Sequence, residues 1–209
     1  MEKKRFIFDL DGTLLTSDFH LERSMFYNYF GEDARMLVTH MGEYLCEYES
    51  LYPYYDIDIL SSYLRRKSKL PITQQVILDW ICITGKDPGV IEDGVIELLE
   101  YLKANDCSIA VLTNWFYNGQ VPRLRSSGIL EYVDQVYGGD YFLKPSREAY
   151  LMAMGSFSED DCVFVGDDFD KDYIGPRTCN IESVLYDKGD VRHDRVVKVK
   201  KMNEIIHRY

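Results

Sequence analysis

Short apolar runs recur along the chain, and several end abruptly in a polar or glycine-containing turn. Phe6-Ile7-Phe8 leads into Asp9-Leu10-Asp11-Gly12-Thr13, and Cys107–Leu112 leads into Thr113-Asn114. Cys162–Val165 leads into Gly166-Asp167-Asp168. Such runs predict buried strands, as do Gln135–Tyr137 and Ser183–Tyr186. Helix-like spacing lies between them. Val95, Leu98, Leu99 and Leu102 mark one face of a helix, and others are predicted over about Gln120–Ser127 and Asp172–Cys179. Ser146 is placed to cap a helix running to about Met154.

From about Thr16 to Thr84 the pattern is different. Leu21–Phe30, Ala34–Glu49, Ile57–Lys69 and Thr73–Ile83 carry helical apolar spacing, and no alternating strand lies among them. Turn signals separate them at Gly31, Pro53 and Pro71, and Gly85-Lys86-Asp87-Pro88-Gly89 closes the block. The expected fold class is α/β: a Rossmann-like parallel sheet with helices on both faces, plus an inserted small all-helical domain. The boundaries read as 1–15 and 88–209 for the core and 16–87 for the insert.

In folds of this class, ligands bind beyond the carboxyl ends of the strands. Asp9, Asp11, Thr113, Asn114, Asp167 and Asp168 all fall at predicted strand ends. Read alone, Asp9-x-Asp11-Gly12 is an ordinary polar turn. Set beside Asp167, Asp168 and Asp172 from another strand end, it becomes an all-oxygen cluster whose charges need a cation. With so few protein ligands the expected ion is Mg²⁺, which keeps waters and takes substrate phosphate.

Composition narrows the partners. The 209 residues carry a net charge of −11, which argues against nucleic acid or an anionic membrane as partner. The five cysteines, Cys46, Cys82, Cys107, Cys162 and Cys179, show no metal-ligand spacing and suit a reducing cytosol. The charged start Met1–Arg5 and the break at Asp9 do not form a signal peptide. A soluble, cytoplasmic protein is expected.

The strings Phe8-Asp9-Leu10-Asp11-Gly12-Thr13-Leu14, Leu112-Thr113-Asn114, Lys144-Pro145 and Val165-Gly166-Asp167-Asp168 with Asp172 occur in that order. They resemble the four motifs of the haloacid dehalogenase-like hydrolase superfamily, over roughly 1–15 and 88–190. The resemblance implies that Asp9 is the nucleophile that forms an aspartyl-phosphate, and that Asp11 is the general acid–base. It implies that Thr113, with Asn114, binds the transferring phosphoryl group, and that Lys144 steadies nucleophile and phosphoryl oxygens. Asp9, Asp11 (through its main-chain carbonyl) and Asp167 would hold Mg²⁺, with Asp168 and Asp172 as supporting or alternative ligands. Gly12 is assigned to a tight backbone and Thr13 to holding the loop.

Membership alone does not fix the reaction. Halide leaves without protonation, so an acid two residues after Asp9 favours phosphate chemistry. A phosphonate-cleaving type would use a Schiff-base lysine in the insert, where only Lys67, Lys69 and Lys86 are available. A phosphatase is therefore expected, ahead of a sugar phosphomutase or a non-catalytic phosphometabolite-binding protein of the same fold. A receiver domain is disfavoured by the first-strand position of the acceptor. The insert between the first two motifs resembles the family's helical cap, which implies a small phosphorylated metabolite as substrate. Its many aromatics read chiefly as packing, Arg65-Arg66-Lys67 as a solvated face, and Trp115-Phe116-Tyr117 as pocket lining or a wedge.

Overall fold

A computed structural model of the chain describes residues 4–189 and 196–209. Met1–Lys3 of the charged start, and residues 190–195 within the expected core, lie outside the described residues. Six parallel strands form the main sheet: β1 (Arg5–Phe8), β4 (Ser108–Leu112), β5 (Gln135–Tyr137), β6 (Cys162–Gly166), β7 (Glu182–Tyr186) and β8 (Lys198–Val199). Their order is β5-β4-β1-β6-β7-β8. The chain builds outward from β1 to β4 and β5, then returns to β6 on the other side. That reversal opens a crevice above β1.

Side-chain alternation explains why both faces are covered. Phe6, Phe8, Ile109, Val111, Val163 and Val165 point to one face. There they meet α5 (Val95–Ala104), Leu124 of α6 (Tyr117–Ser126) and the C-terminal 3₁₀ turn Met202–His207. Ile7, Ala110, Leu112 and Phe164 point the other way, toward α7 (Arg147–Met154). All of these strand residues are fully or almost fully buried, so the runs read as continuously apolar and not as alternating.

Four helices fill the block between β1 and α5: α1 (His20–Phe30), α2 (Ala34–Leu51), α3 (Ile57–Ser68) and α4 (Gln74–Thr84). Asp56 caps α3 by accepting from the Asp58 and Ile59 N–H groups, and Lys69 ends it in the left-handed region. Most of the aromatics pack this bundle. Tyr48 is fully buried and stacks on Tyr55 with centroids 5.0 Å apart. The cluster does not stop at the block, because Trp115, Phe116 and Leu143 from the strand-end loops join it. Trp115 lies 4.4 Å from Trp80, centroid to centroid, so the aromatic pair after β4 is a wedge under the helices. Arg65, Arg66 and Lys67 are exposed.

Several boundaries differ from expectation. A two-residue antiparallel pair, β2 (Leu15–Thr16) with β3 (Val90–Ile91), stitches the two crossings of the chain; it is too short to show periodicity. The helix expected from Gln120 begins at Tyr117. Pro122 stands inside it. The helix expected over Asp172–Cys179 is a π-helical turn, Phe169–Ile174, followed by the short α8 (Gly175–Arg177). Asp168 sets the earlier start, accepting from the Asp170 and Lys171 N–H groups at 2.9 Å. β8 and the C-terminal 3₁₀ turn were not anticipated by any pattern.

Candidate active site

The loops after β1, β4 and β6 converge at the crevice. Asp9 follows β1 and is buried. Its Oδ1 accepts from Lys144 Nζ at 2.6 Å and its Oδ2 from Thr13 Oγ1 at 3.3 Å. Lys144, itself buried, also donates to Asp172 Oδ1 at 2.7 Å. The second Asp172 oxygen accepts from the Asp168 N–H at 3.1 Å. Thr13 Oγ1 reaches Asp167 Oδ1 at 3.1 Å, so one hydroxyl ties the β1 loop to the β6 loop.

Two glycines make this convergence possible. Gly12 has φ +87°, and a Cβ there would lie 2.3 Å from Asp167 Oδ2. A Cβ at Gly166 would meet Asp172 Oδ2 at the same 2.3 Å. Any side chain at either position would push the acids apart.

Asp9, Asp167 and Asp172 each bring a carboxylate oxygen within 4.8 Å of the others. Burial raises the Asp9 carboxyl to about 7 against the opposing pull of Lys144, and the charges of Asp172 and Asp11 add to the rise. Asp167 keeps an exposed edge, yet burial and the Asp9 charge raise it to about 6. Asp172 is also raised, chiefly by burial. Burial pushes the Lys144 ammonium down, but Asp172 and Asp9 outweigh it and hold the lysine charged. Three carboxylates against one ammonium leave formal negative charge uncompensated. A donor set of hard oxygens in that state fits a divalent cation.

The Asp11 carboxylate turns away from this triad. Its Oδ1 accepts from Arg123 Nη1 and its Oδ2 from Gln120 Nε2, both at 2.6 Å. Arg123 is buried and also donates to Gln120 Oε1 and to the Asp87 carbonyl. Gln120 donates as well to Thr113 Oγ1 at 3.0 Å, which places the threonine hydroxyl beside Asp11. Asn114 spends its side chain on Lys144: Nδ2 donates to the Lys144 carbonyl at 2.9 Å and Oδ1 accepts from its N–H at 2.8 Å. The amide clasps the lysine backbone. The Asp168 carboxylate is exposed and caps the turn that follows, while its N–H stays on Asp172.

A cavity of about 530 Å³ stands over these groups, roofed by the helices. Glu49 of α2 bridges roof and floor: it accepts from Lys171 Nζ at 2.7 Å, Tyr55 OH at 2.8 Å and Asn114 Nδ2 at 3.2 Å. Gln120, Arg123, Glu49 and Lys171 were not singled out from sequence. The i, i+3 pair Gln120 and Arg123, one turn after the Thr113-Asn114 strand end, was the available signal. His20 pairs with the neighbouring Asp18, and His40 with Glu43 and the Tyr44 ring.

The model of the haloacid dehalogenase-like hydrolase family matches residues 3–179, and the chain belongs to that family. A ribulose-1,5-bisphosphate 5-phosphatase from Halopiger xanaduensis is 29% identical over 98 residues, which are 45% of this chain and 41% of that protein. The match thus spans less than half the length of that relative. Among solved structures, YfnB from Bacillus subtilis in its magnesium-bound form superposes with a TM-score of 0.71 at 17% identity, covering 99% of this chain and 98% of that one. The L-2-haloacid dehalogenase of Xanthobacter autotrophicus gives a TM-score of 0.73 at 12% identity, covering 98% and 97%. These two likenesses establish the fold.

Proposed function

We propose that the protein is a Mg²⁺-dependent phosphohydrolase that cleaves a small phosphate monoester through an aspartyl-phosphate at Asp9. The observation that carries this reading is the buried Asp9 carboxylate, held by Lys144 and Thr13, with a separately anchored acid, Asp11, two residues on. The likeness of part of the chain to a phosphatase supports it. The dehalogenase of similar fold does not compel a halide reaction, because Asp11 supplies the proton that an alcohol leaving group needs.

In the first step an Asp9 oxygen attacks phosphorus. The Asp9 O–P bond forms, the ester P–O bond breaks, and Asp11 gives its proton to the departing alcohol oxygen. Water then attacks the phosphorus and Asp11 takes its proton. The Asp9 O–P bond breaks, releasing phosphate and restoring Asp9. Gln120 and Arg123 hold Asp11 as an acceptor, the pose required of the base. Lys144 and the Thr113 hydroxyl are placed to meet charge on the phosphoryl oxygens. Asp9, Asp167 and the Asp11 carbonyl, with Asp172 alongside, would hold Mg²⁺, which when bound neutralises phosphoryl charge.

On this reading residues 16–87 form a helical cap inserted into a core of 1–15 and 88–209, and the substrate is a small metabolite. All five cysteines are free thiols, which supports a reducing, cytoplasmic setting. Among the described residues no helix is long and apolar enough to cross a membrane.

The test is phosphate release from a panel of small esters, with and without Mg²⁺, for wild type and Asp9→Asn. Mg²⁺-dependent release that falls to background in Asp9→Asn is the expected result. Equal release by both proteins would remove Asp9 from the chemistry. No release, with isomerisation of an added sugar phosphate, would turn the reading to a phosphomutase.

A further inference from the structure

Glu49 stands in the last turn of α2, and its carboxylate leaves the helical block to meet two loops of the sheet. Only 10% of the side chain is exposed. Oε1 accepts from Tyr55 OH, and Oε2 accepts from both Asn114 Nδ2 and Lys171 Nζ. Two backbone bonds fasten the block beside it. The Tyr55 N–H donates to the Gly139 carbonyl at 2.7 Å, and the Leu143 N–H to the Pro53 carbonyl at 2.9 Å. A Cβ on Gly139 would lie 2.9 Å from Tyr55 Cδ2, so the two loops meet at close range.

From Glu49 two routes lead to Lys144, whose Nζ lies at the end of a flexible stem between Asp9 and Asp172. Through Asn114, Glu49 reaches the backbone of Lys144, whose carbonyl and N–H that amide clasps. Through Lys171, it reaches the turn Phe169–Ile174, in which the next residue is Asp172. An ionised carboxylate can only accept. Glu49 therefore keeps the Asn114 nitrogen on its own side and leaves the amide oxygen for the Lys144 N–H. We infer that Glu49 is a positioning residue for Lys144: it fixes the lysine's backbone and one of the two carboxylates that hold its ammonium. Its two oxygens already carry three protein donors, which marks it as a fastening and not as a substrate contact. That this positioning serves catalysis rests on the proposed phosphatase function. The linkage from Glu49 to Lys144 does not.

The test compares wild type, Glu49→Gln, Lys171→Met and the double variant, with para-nitrophenyl phosphate and Mg²⁺. Glu47→Gln is the control, since Glu47 lies on the same helix and pairs inside the block with Lys67. Glu49→Gln lowers kcat about 10- to 100-fold, the scale set by misplacing a reacting group by about 1 Å. KM changes little, and Glu47→Gln changes neither. Lys171→Met has a smaller effect, because the Asn114 route remains. Added to Glu49→Gln, it lowers kcat no further, as expected of residues that act through one another. A KM that rises with kcat intact would make Glu49 or Lys171 a substrate contact and overturn the assignment.

Amide hydrogen exchange, read residue by residue by NMR, needs no turnover. In Glu49→Gln the Lys144 N–H, which donates to Asn114, exchanges faster than in wild type. The neighbouring Leu143 N–H, which donates to Pro53, keeps its protection. Unchanged exchange at Lys144 would overturn the inference. Loss of protection at both amides would overturn it too, because the block would then have come away as a whole. Faster Lys144 exchange in a protein that cleaves no phosphate ester would sink the phosphatase reading and leave the linkage standing. Ester cleavage with kcat untouched by Glu49→Gln would do the reverse.

Discussion

The floor and the roof of the cavity handle buried carboxylates in opposite ways. On the floor, Asp9, Asp11 and Asp172 each meet donors on both oxygens or on a bidentate set: Lys144 and Thr13, Arg123 and Gln120, Lys144 and the Asp168 N–H. In the roof, Glu22 has an oxygen with no donor at all. Groups fixed in advance cost no reorganisation when charge develops, which suits chemistry. A buried oxygen left without a donor carries the cost of its lost hydration instead. Glu49 belongs to a roof helix by sequence but to the floor by its partners, so partnership, not position in the chain, separates the two.

The comparison can be broken most sharply at Lys144. Lys144→Met should lower kcat about 10²- to 10³-fold, as expected for a preorganised charge on a transferring group, while changing KM little. A mutant whose KM rises with kcat intact would make the floor a binding surface and not a reacting one. Gln120→Leu removes one of the two side chains holding Asp11 and should lower kcat about 10-fold, short of the roughly 10²- to 10⁴-fold that general acid–base catalysis contributes. Steady-state kinetics checks both, and an unchanged kcat in Gln120→Leu would show that Arg123 alone orients the acid.

The smallest effect is on stability, and its sign follows from the floor's crowding. Asp9 and Asp167 sit at about 7 and about 6 against an ordinary 3.8. As pH rises from about 4, the unfolded chain ionises these acids while the folded one resists. Stability present at low pH is therefore lost as pH climbs through 6 to 7. A cation held by the triad should restore it. Thermal melts should show Mg²⁺ raising the midpoint more at pH 8 than at pH 5; an equal shift at both would mean that the ion binds elsewhere.

Much of the floor was legible in the residues because its main groups sit at ends of apolar runs, and strand ends are visible locally. Asp9, Thr113 and Asp167 follow directly from Phe8, Leu112 and Gly166. What was not legible depends on contacts across the chain. Asp11 and Gln120 are far apart in sequence, and nothing local tells that the carboxylate faces Gln120 and Arg123 while Asp172 faces Lys144. Nor does anything local tell that the Asn114 amide holds the Lys144 backbone and reaches Glu49 as well. Asp168, expected as a supporting or alternative ligand, also caps the turn after β6, which starts earlier than its helical pattern suggests. Glu22 gave no signal, since a missing partner can be recognised only once the neighbours are known.

The β2–β3 pair has an architectural consequence. Thr16 lies opposite Val90 and Leu15 opposite Ile91, so the chain leaves the sheet and returns to it through a single doorway. Everything between is a loop tied off at its neck, and joining the two sides of that neck by a short turn would leave the six-strand order untouched. Under the proposed function, the reaction would stay with the sheet while what hangs from the doorway is refashioned.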